Sequence, residues 1–136
     1  MITFTDTKAL GKQAIIELYK DARWSAYTKE PDLLMNAIEN SLLVISAWDQ
    51  DHLAGLIRVV GDGKTIIYIQ DILVLKSHKR QGIGTQLMKQ VLARFPEVRQ
   101  TVLLTDDYDE TRGFYESLGF ESCDKGKLVS FARFNP

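Results

Sequence analysis

Two glycines one residue apart, Gly82 and Gly84, stand between an apolar run and a helical run. That junction limits the possible folds more than any other stretch. Ile66 to Leu75 is β-branched and aliphatic, interrupted only by Tyr68, Gln70 and Asp71, the pattern of a strand buried on both faces. Lys76, Ser77 and His78 leave the strand with rising polarity. Then come Lys79-Arg80-Gln81-Gly82-Ile83-Gly84-Thr85, and Leu87, Met88, Val91 and Leu92 at helical spacing. The glycines allow a tight turn and put no Cβ between a ligand and the amides. A helix that starts there offers free N–H groups and the positive end of its dipole to an anion. Lys79 and Arg80 add positive charge. These residues predict a phosphate or pyrophosphate cradle; the plainer reading is a glycine turn that only starts a helix.

Other phosphate-binding patterns do not fit. A dinucleotide fingerprint needs a third glycine, and Leu87 follows Gly84-Thr85-Gln86 instead. No Gly-Lys-Ser or Gly-Lys-Thr occurs, which removes the P-loop. With 136 residues the chain suits one domain, 1–136, and leaves no comfortable room for two nucleotide-binding halves. A net charge of −1 gives no basic field for nucleic acid and no bias toward a membrane. No apolar run approaches a spanning length, and the N-terminus lacks the charged-then-apolar order of a signal peptide. The lone Cys123 excludes an internal disulfide framework and fits a reducing cytoplasm.

Along the chain, Ile2 and Phe4 suggest a first short strand, and Asp6 or Thr7 a cap for a helix running through Tyr19. Ala22 to Thr28 reads as a loop or helix end carrying Trp24 and Tyr27. Pro31 and Asp32 start a second helix. Leu42 to Trp48 and Leu53 to Val60 read as a hairpin, and Asp62-Gly63 as the turn into the central strand. Pro96 ends the glycine-started helix, and Val98 to Thr105 forms the next strand. An acidic run, Asp106 to Glu110, precedes a helix from Thr111 to Leu118. Phe120 to Cys123 and Leu128 to Phe134 read as a final hairpin. A strand, a crossover helix and a second strand make a parallel pair in an otherwise antiparallel sheet. The expected class is α+β, with a mixed, mostly antiparallel sheet and flanking helices.

Lys79-Arg80-Gln81-Gly82-Ile83-Gly84 resembles the pyrophosphate loop of the GNAT superfamily of N-acetyltransferases. That loop reads Gln or Arg, two residues, Gly, one residue, then Gly or Ala. Here Lys79 takes the first place and meets a phosphate as a point charge, without bidentate geometry. Asp71-Ile72-Leu73-Val74 upstream and Phe114-Tyr115-Glu116-Ser117-Leu118-Gly119-Phe120 downstream extend the likeness over the C-terminal half. The resemblance implies a GNAT-like fold whose parallel strands splay apart around acetyl-CoA. The main chain of Ile72, Leu73 and Val74 then pairs with the pantetheine arm. Lys79, Arg80, Gln81, Gly82, Ile83, Gly84 and Thr85 hold the pyrophosphate. The family often has Asn seven places before its tyrosine; Tyr108 stands there, with packing on the cosubstrate as the role left to it.

The resemblance makes Tyr115 the general acid for the departing thiolate, against the plain reading of a half-buried helix tyrosine beside Phe114. Asp71 is a candidate general base, or else caps a neighbouring backbone group. Asp106 and Asp107 suit helix capping better than proton transfer. Trp24, Tyr27 and Tyr68 are candidates for the acceptor wall, with core packing as the equal alternative. His52 and His78 read as loop residues, no metal-ligand cluster is evident, and Cys123 reads as a small apolar core residue. The expected activity is acetyl transfer from acetyl-CoA to an amine of a small molecule or protein, by direct attack. The alternative is a non-catalytic acyl-CoA-binding regulatory module. The final strands offer a route to a homodimer.

Overall fold

Short-range signals build the sheet. In the computed structural model, which describes residues 1–135, five strands lie side by side in chain order: β1 (Ile2–Thr5), β2 (Leu43–Asp49), β3 (His52–Gly61), β4 (Ile66–Val74) and β5 (Gln100–Leu103). The β1–β2, β2–β3 and β3–β4 pairings are antiparallel, and β4–β5 is parallel. Asp62 fixes the β3–β4 turn: its Oδ1 accepts the amides of Lys64, Thr65 and Ile66 at 2.9, 2.8 and 3.1 Å. Those donors favour the charged form and hold the carboxyl far below the usual range.

The chain resolves into two compact units, Met1–Leu104 and a second from Thr105 onward. In the first, α1 (Lys12–Asp21), α2 (Ser25–Thr28) and α3 (Pro31–Glu39) follow β1, and α4 (Ile83–Arg94) is the crossover between β4 and β5. Ile15, Leu18 and Tyr19 of α1 and Leu34 and Ile38 of α3 pack with Val44, Leu53, Leu56 and Leu73 of the sheet. Burying each such aliphatic side chain is worth about 1.5–3 kcal/mol, so this layer fixes where α1 and α3 stand. On the opposite face α4 buries Ile83, Leu87, Met88 and Val91. A Cβ on Gly55 of β3 would lie 3.1 Å from Ile83 Cγ2 and 3.2 Å from the Leu73 carbonyl, so the start of α4 presses close on the sheet.

One irregularity in β4 decides which side chains face the helices. Val59 pairs with Ile69, but Arg58 pairs with Asp71, so Gln70 is an extra residue opposite the Arg58/Val59 step. Paired residues share a face and neighbours alternate. Ile67 and Ile69 therefore share the face of Val59 and Gly61, while Asp71 and Leu73 share that of Arg58 and Leu56. Without the bulge all four would lie on one face.

The second unit contains α5 (Asp109–Ser117), which closes at Gly119 with φ 90°, and a short 3₁₀ turn at Cys123–Lys125. Arg112 ties it together, donating from Nε to Asp107 at 2.6 Å, from Nη1 to Ser122 at 3.0 Å and from Nη2 to Asp124 at 3.0 Å.

Several expectations are corrected. α1 starts at Lys12, not near Asp6 or Thr7; Asp6 instead accepts from Arg94 at 2.8 Å. Ala22 to Thr28 includes the single turn of α2. β5 is four residues rather than the eight of Val98 to Thr105, because β4 and β5 stop pairing after Ile69↔Leu103. No strand forms in Phe120–Cys123 or Leu128–Phe134, and Leu128, Val129, Phe131 and Phe134 are exposed. Their apolar pattern supplies strand propensity, but a strand also needs an edge to pair with. Cys123 is exposed rather than in the core, since it sits in the turn that Arg112 anchors.

Candidate functional site

The parallel ladder runs from Ile66↔Gln100 to Ile69↔Leu103 and ends there. β4 continues through Gln70–Val74, paired on its other side with β3 as far as Gly55↔Val74. Among the described residues no strand meets the β5-facing edge of Ile72, Leu73 and Val74. Main-chain donors and acceptors on that edge are free to pair with an extended ligand, as an added strand would. Leu73 is buried, and Ile72 and Val74 are half-buried, so their side chains pack whatever their backbone binds.

After β4 a 3₁₀ turn, Lys76–His78, leads to the glycine loop. Its base is held from two sides. The Lys76 amide donates to Asp21 Oδ2 at 2.8 Å, and His78 Nε2 lies 2.8 Å from Asp49 Oδ2. That contact lowers the Asp49 carboxyl below its ordinary value. Arg80 and Gly82 both take left-handed backbone, φ 65° and 79°. A left-handed residue other than glycine costs about 1–2 kcal/mol, so Arg80 marks a loop shaped for something other than ease of folding. Gly82 is the N-cap of α4, with no side chain capping the helix. The first helical bond runs from the Gln86 amide to the Gly82 carbonyl. The amides of Ile83, Gly84 and Thr85 thus have no partner inside the helix. A Cβ placed on Gly82 would meet nothing within 4 Å, so the space before these amides is open. Lys79, Arg80 and Gln81 are exposed beside it. Free amides, the dipole end and two cations suit a pyrophosphate.

Asp71 is only 2% exposed and lies in a network the sequence did not reveal. Arg58 Nε donates to Asp71 Oδ2 at 2.7 Å, Tyr19 OH to the same oxygen at 2.9 Å, and Tyr27 OH to Oδ1 at 3.1 Å. Arg58 Nη2 and Gln70 Nε2 donate to the Tyr27 oxygen at 3.2 and 3.1 Å. Burial, and then the Asp71 carboxylate, push both phenols above their ordinary pKa. Burial alone would lower Arg58, but the attraction of Asp71 outweighs it and the guanidinium titrates above its usual value. This setting opposes the general-base reading of Asp71. Both carboxylate oxygens already accept hydrogen bonds, and a proton there would leave Arg58 a buried unpaired cation. The side chain orders α1 and α2 on β3 and β4.

The aromatic candidates are only partly gathered. Tyr19, Trp24 and Tyr27 pack edge-on or tilted, with ring centroids 5.3 to 6.2 Å apart. Trp24 and Tyr27 border the core and stay half-buried, and Tyr68 is half-buried on β4 beside Val60. In the second unit Tyr115 packs between Phe114 and Phe120, with centroids 5.0 and 5.8 Å away. Burial raises its phenol pKa, partly offset by the Thr105 side chain, so it stays protonated at neutral pH. Tyr108, at the N-cap of α5, is exposed. Arg58 carried a sequence signal, a lone cation in an apolar run. Tyr19 and Gln70 carried none.

A parallel ladder that ends at Ile69↔Leu103, followed on the same strand by an uncapped glycine turn, suits an acyltransferase frame, and comparison with known proteins gives that class. The model of the acetyltransferase (GNAT) domain matches residues 6–136. The chain belongs to this family. A GNAT family acetyltransferase from Streptococcus pneumoniae is 36% identical, with TM-score 0.88 over 99% of this chain and 98% of that one. A Gibberella zeae protein provisionally named an acetyltransferase is 35% identical over 94 residues, 65% of this chain, which spans 50% of that relative's length. AAC(6')-Iy, solved with the bisubstrate analog CoA-S-monomethyl-acetylneamine, has TM-score 0.70 over 100% of this chain and 99% of its own; at 16% identity the likeness is one of fold alone. No helix of the described residues is long and apolar enough to cross a membrane.

Proposed function

We propose that this protein is an N-acetyltransferase that moves an acetyl group from acetyl-CoA to a primary amine by direct attack. The observation that carries the reading is the end of the β4–β5 ladder at Ile69↔Leu103, followed on the same strand by an uncapped glycine loop. The open edge of Ile72, Leu73 and Val74 suits the pantetheine arm, and Lys79 to Thr85 suit the pyrophosphate. The amine nitrogen forms its bond to the thioester carbonyl carbon, the C–S bond breaks, CoA leaves as the thiol, and the spare amine proton passes to water. Tyr115 is the donor we assign to the leaving sulfur, on the match of Phe114 to Phe120 to the family's second signature. The chain supplies chiefly position and a proton path. With Asp71 tied to Arg58, no enzyme carboxylate is assigned as base.

The acceptor is a small-molecule or protein amine beside Trp24, Tyr27 and Tyr68; that a fold relative was solved with an aminoglycoside-derived analog makes aminoglycosides one amine class to test. Tyr108 is assigned to cosubstrate packing. The family model's span, 6–136, supports treating 1–136 as one catalytic domain. The lone cysteine and the use of acetyl-CoA support a cytoplasmic location. A second copy is the cover we assign to Leu128, Val129, Phe131 and Phe134, through the outer edge of its β5. Acetyl-CoA incubated with a panel of amines, with free thiol followed by a colorimetric reagent, tests the activity. Amine-dependent thiol release supports it. Tight CoA binding without release for any amine favours the regulatory module.

A further inference from the structure

The bulge leaves one hydrogen-bond acceptor poised at the root of the open strand pair. Gln70 is the extra residue of β4, directly after Ile69, the last residue paired to β5. Its side chain is exposed, yet its amide is not free to turn. The Tyr27 hydroxyl has one proton and two lone pairs. Its proton goes to the Asp71 carboxylate at 3.1 Å, a charged acceptor that outcompetes an amide oxygen. Arg58 Nη2 occupies one lone pair at 3.2 Å. The remaining position accepts a donor only, so Gln70 must present Nε2, at 3.1 Å. Tyr27 is thereby saturated, and Gln70 Oε1 is turned away from it. Oε1 has no protein partner among the described hydrogen bonds.

On the acetyl-transfer reading above, we propose that Gln70 Oε1 binds the acceptor amine. The amine donates an N–H to the amide oxygen, which leaves its lone pair free for the thioester carbon. A neutral oxygen suits this better than a carboxylate. A carboxylate would hold the amine as ammonium, which has no lone pair to attack with. The buried Arg58–Asp71 pair acts at one remove, fixing Tyr27 and through it the amide. The acceptor class is a primary amine that reaches the strand pair in its neutral form, with an apolar body beside Trp24 and Tyr27.

Wild type and Gln70→Leu, an exposed change that gives up the Nε2–Tyr27 hydrogen bond together with Oε1, are titrated with benzylamine in the presence of CoA. The Gln70 side-chain amide signals are followed by NMR in the wild type. Saturable shifts of those signals are expected, with benzylamine affinity about three- to tenfold weaker in Gln70→Leu, the size of one neutral hydrogen bond. Acetyl-CoA affinity should stay within about twofold, and any turnover loss should fall on the amine KM rather than kcat. Equal benzylamine affinity in both proteins, or Gln70 signals that do not move, overturns the assignment. Saturable binding that Gln70→Leu weakens, without acetyl transfer to any amine, keeps the amine site and removes the acetyltransferase reading instead.

Discussion

Asp71 serves order, and Tyr115 is the residue proposed for chemistry. The Asp71 carboxylate is buried against Arg58 with two phenols donating to it. Removing one member of such a pair strands the other in a medium of low polarity. Asp71→Ala should therefore cost about 3–5 kcal/mol of stability, read from urea unfolding. A loss below about 1 kcal/mol would mean that the pair is solvated and the network weak. Tyr115→Phe keeps the ring between Phe114 and Phe120, so stability should change little. If the phenol protonates the leaving thiolate, turnover falls at least about tenfold while acetyl-CoA affinity stays within about twofold. Thiol release at saturating amine, paired with calorimetry, separates these effects. Full activity would return Tyr115 to a packing role.

At the scale of elements, the glycine loop is the part most open to test. Gly82 holds φ 79° at the start of α4. Gly82→Val forces a β-branched residue into left-handed backbone, at about 1–2 kcal/mol, and places methyl groups in the space before the amides. CoA affinity should fall at least about tenfold by calorimetry, while the β1–β4 amides keep their NMR positions. Unchanged affinity would move the pyrophosphate elsewhere. This loop was legible in the sequence because its signal is local: two glycines, two cations and helical spacing over a few residues. The β2–β3–β4 order and the parallel β4–β5 pair were legible for the same reason, through the Asp62 turn and the crossover through α4; the place of β1 beside β2, across three helices, was not. The Arg58–Asp71 pair was not. A regular hairpin continued from Gly61↔Ile67 would set Arg58 against Gln70, and only the bulge moves Asp71 into place. A bulge leaves no trace in apolar alternation when both faces are buried. The start of α1 was misread because Asp6 caps nothing and pairs with the distant Arg94, a contact between residues 88 apart.

For the whole molecule, the C-terminal apolar residues are the surface that needs a cover. Phe131 is 92% exposed and Phe134 79%. β5 ends the sheet, so its outer edge has no strand partner among the described residues. Exposed apolar residues and an unpaired edge are complementary between two copies of one chain. Light scattering coupled to size exclusion should give a dimer mass at tens of micromolar, and Phe131→Asp should shift it to the monomer. A monomer in both proteins would leave these side chains to another partner.

On the proposed reading, the open edge of β4 and the start of α4 together receive acetyl-CoA. Backbone amide NMR during an acetyl-CoA titration tests it without knowledge of the acceptor. Saturable shifts are expected in two stretches, Gln70 to Val74 and Gly82 to Thr85, with β1 and β2 unmoved. Saturable binding whose shifts fall outside both stretches would contradict it.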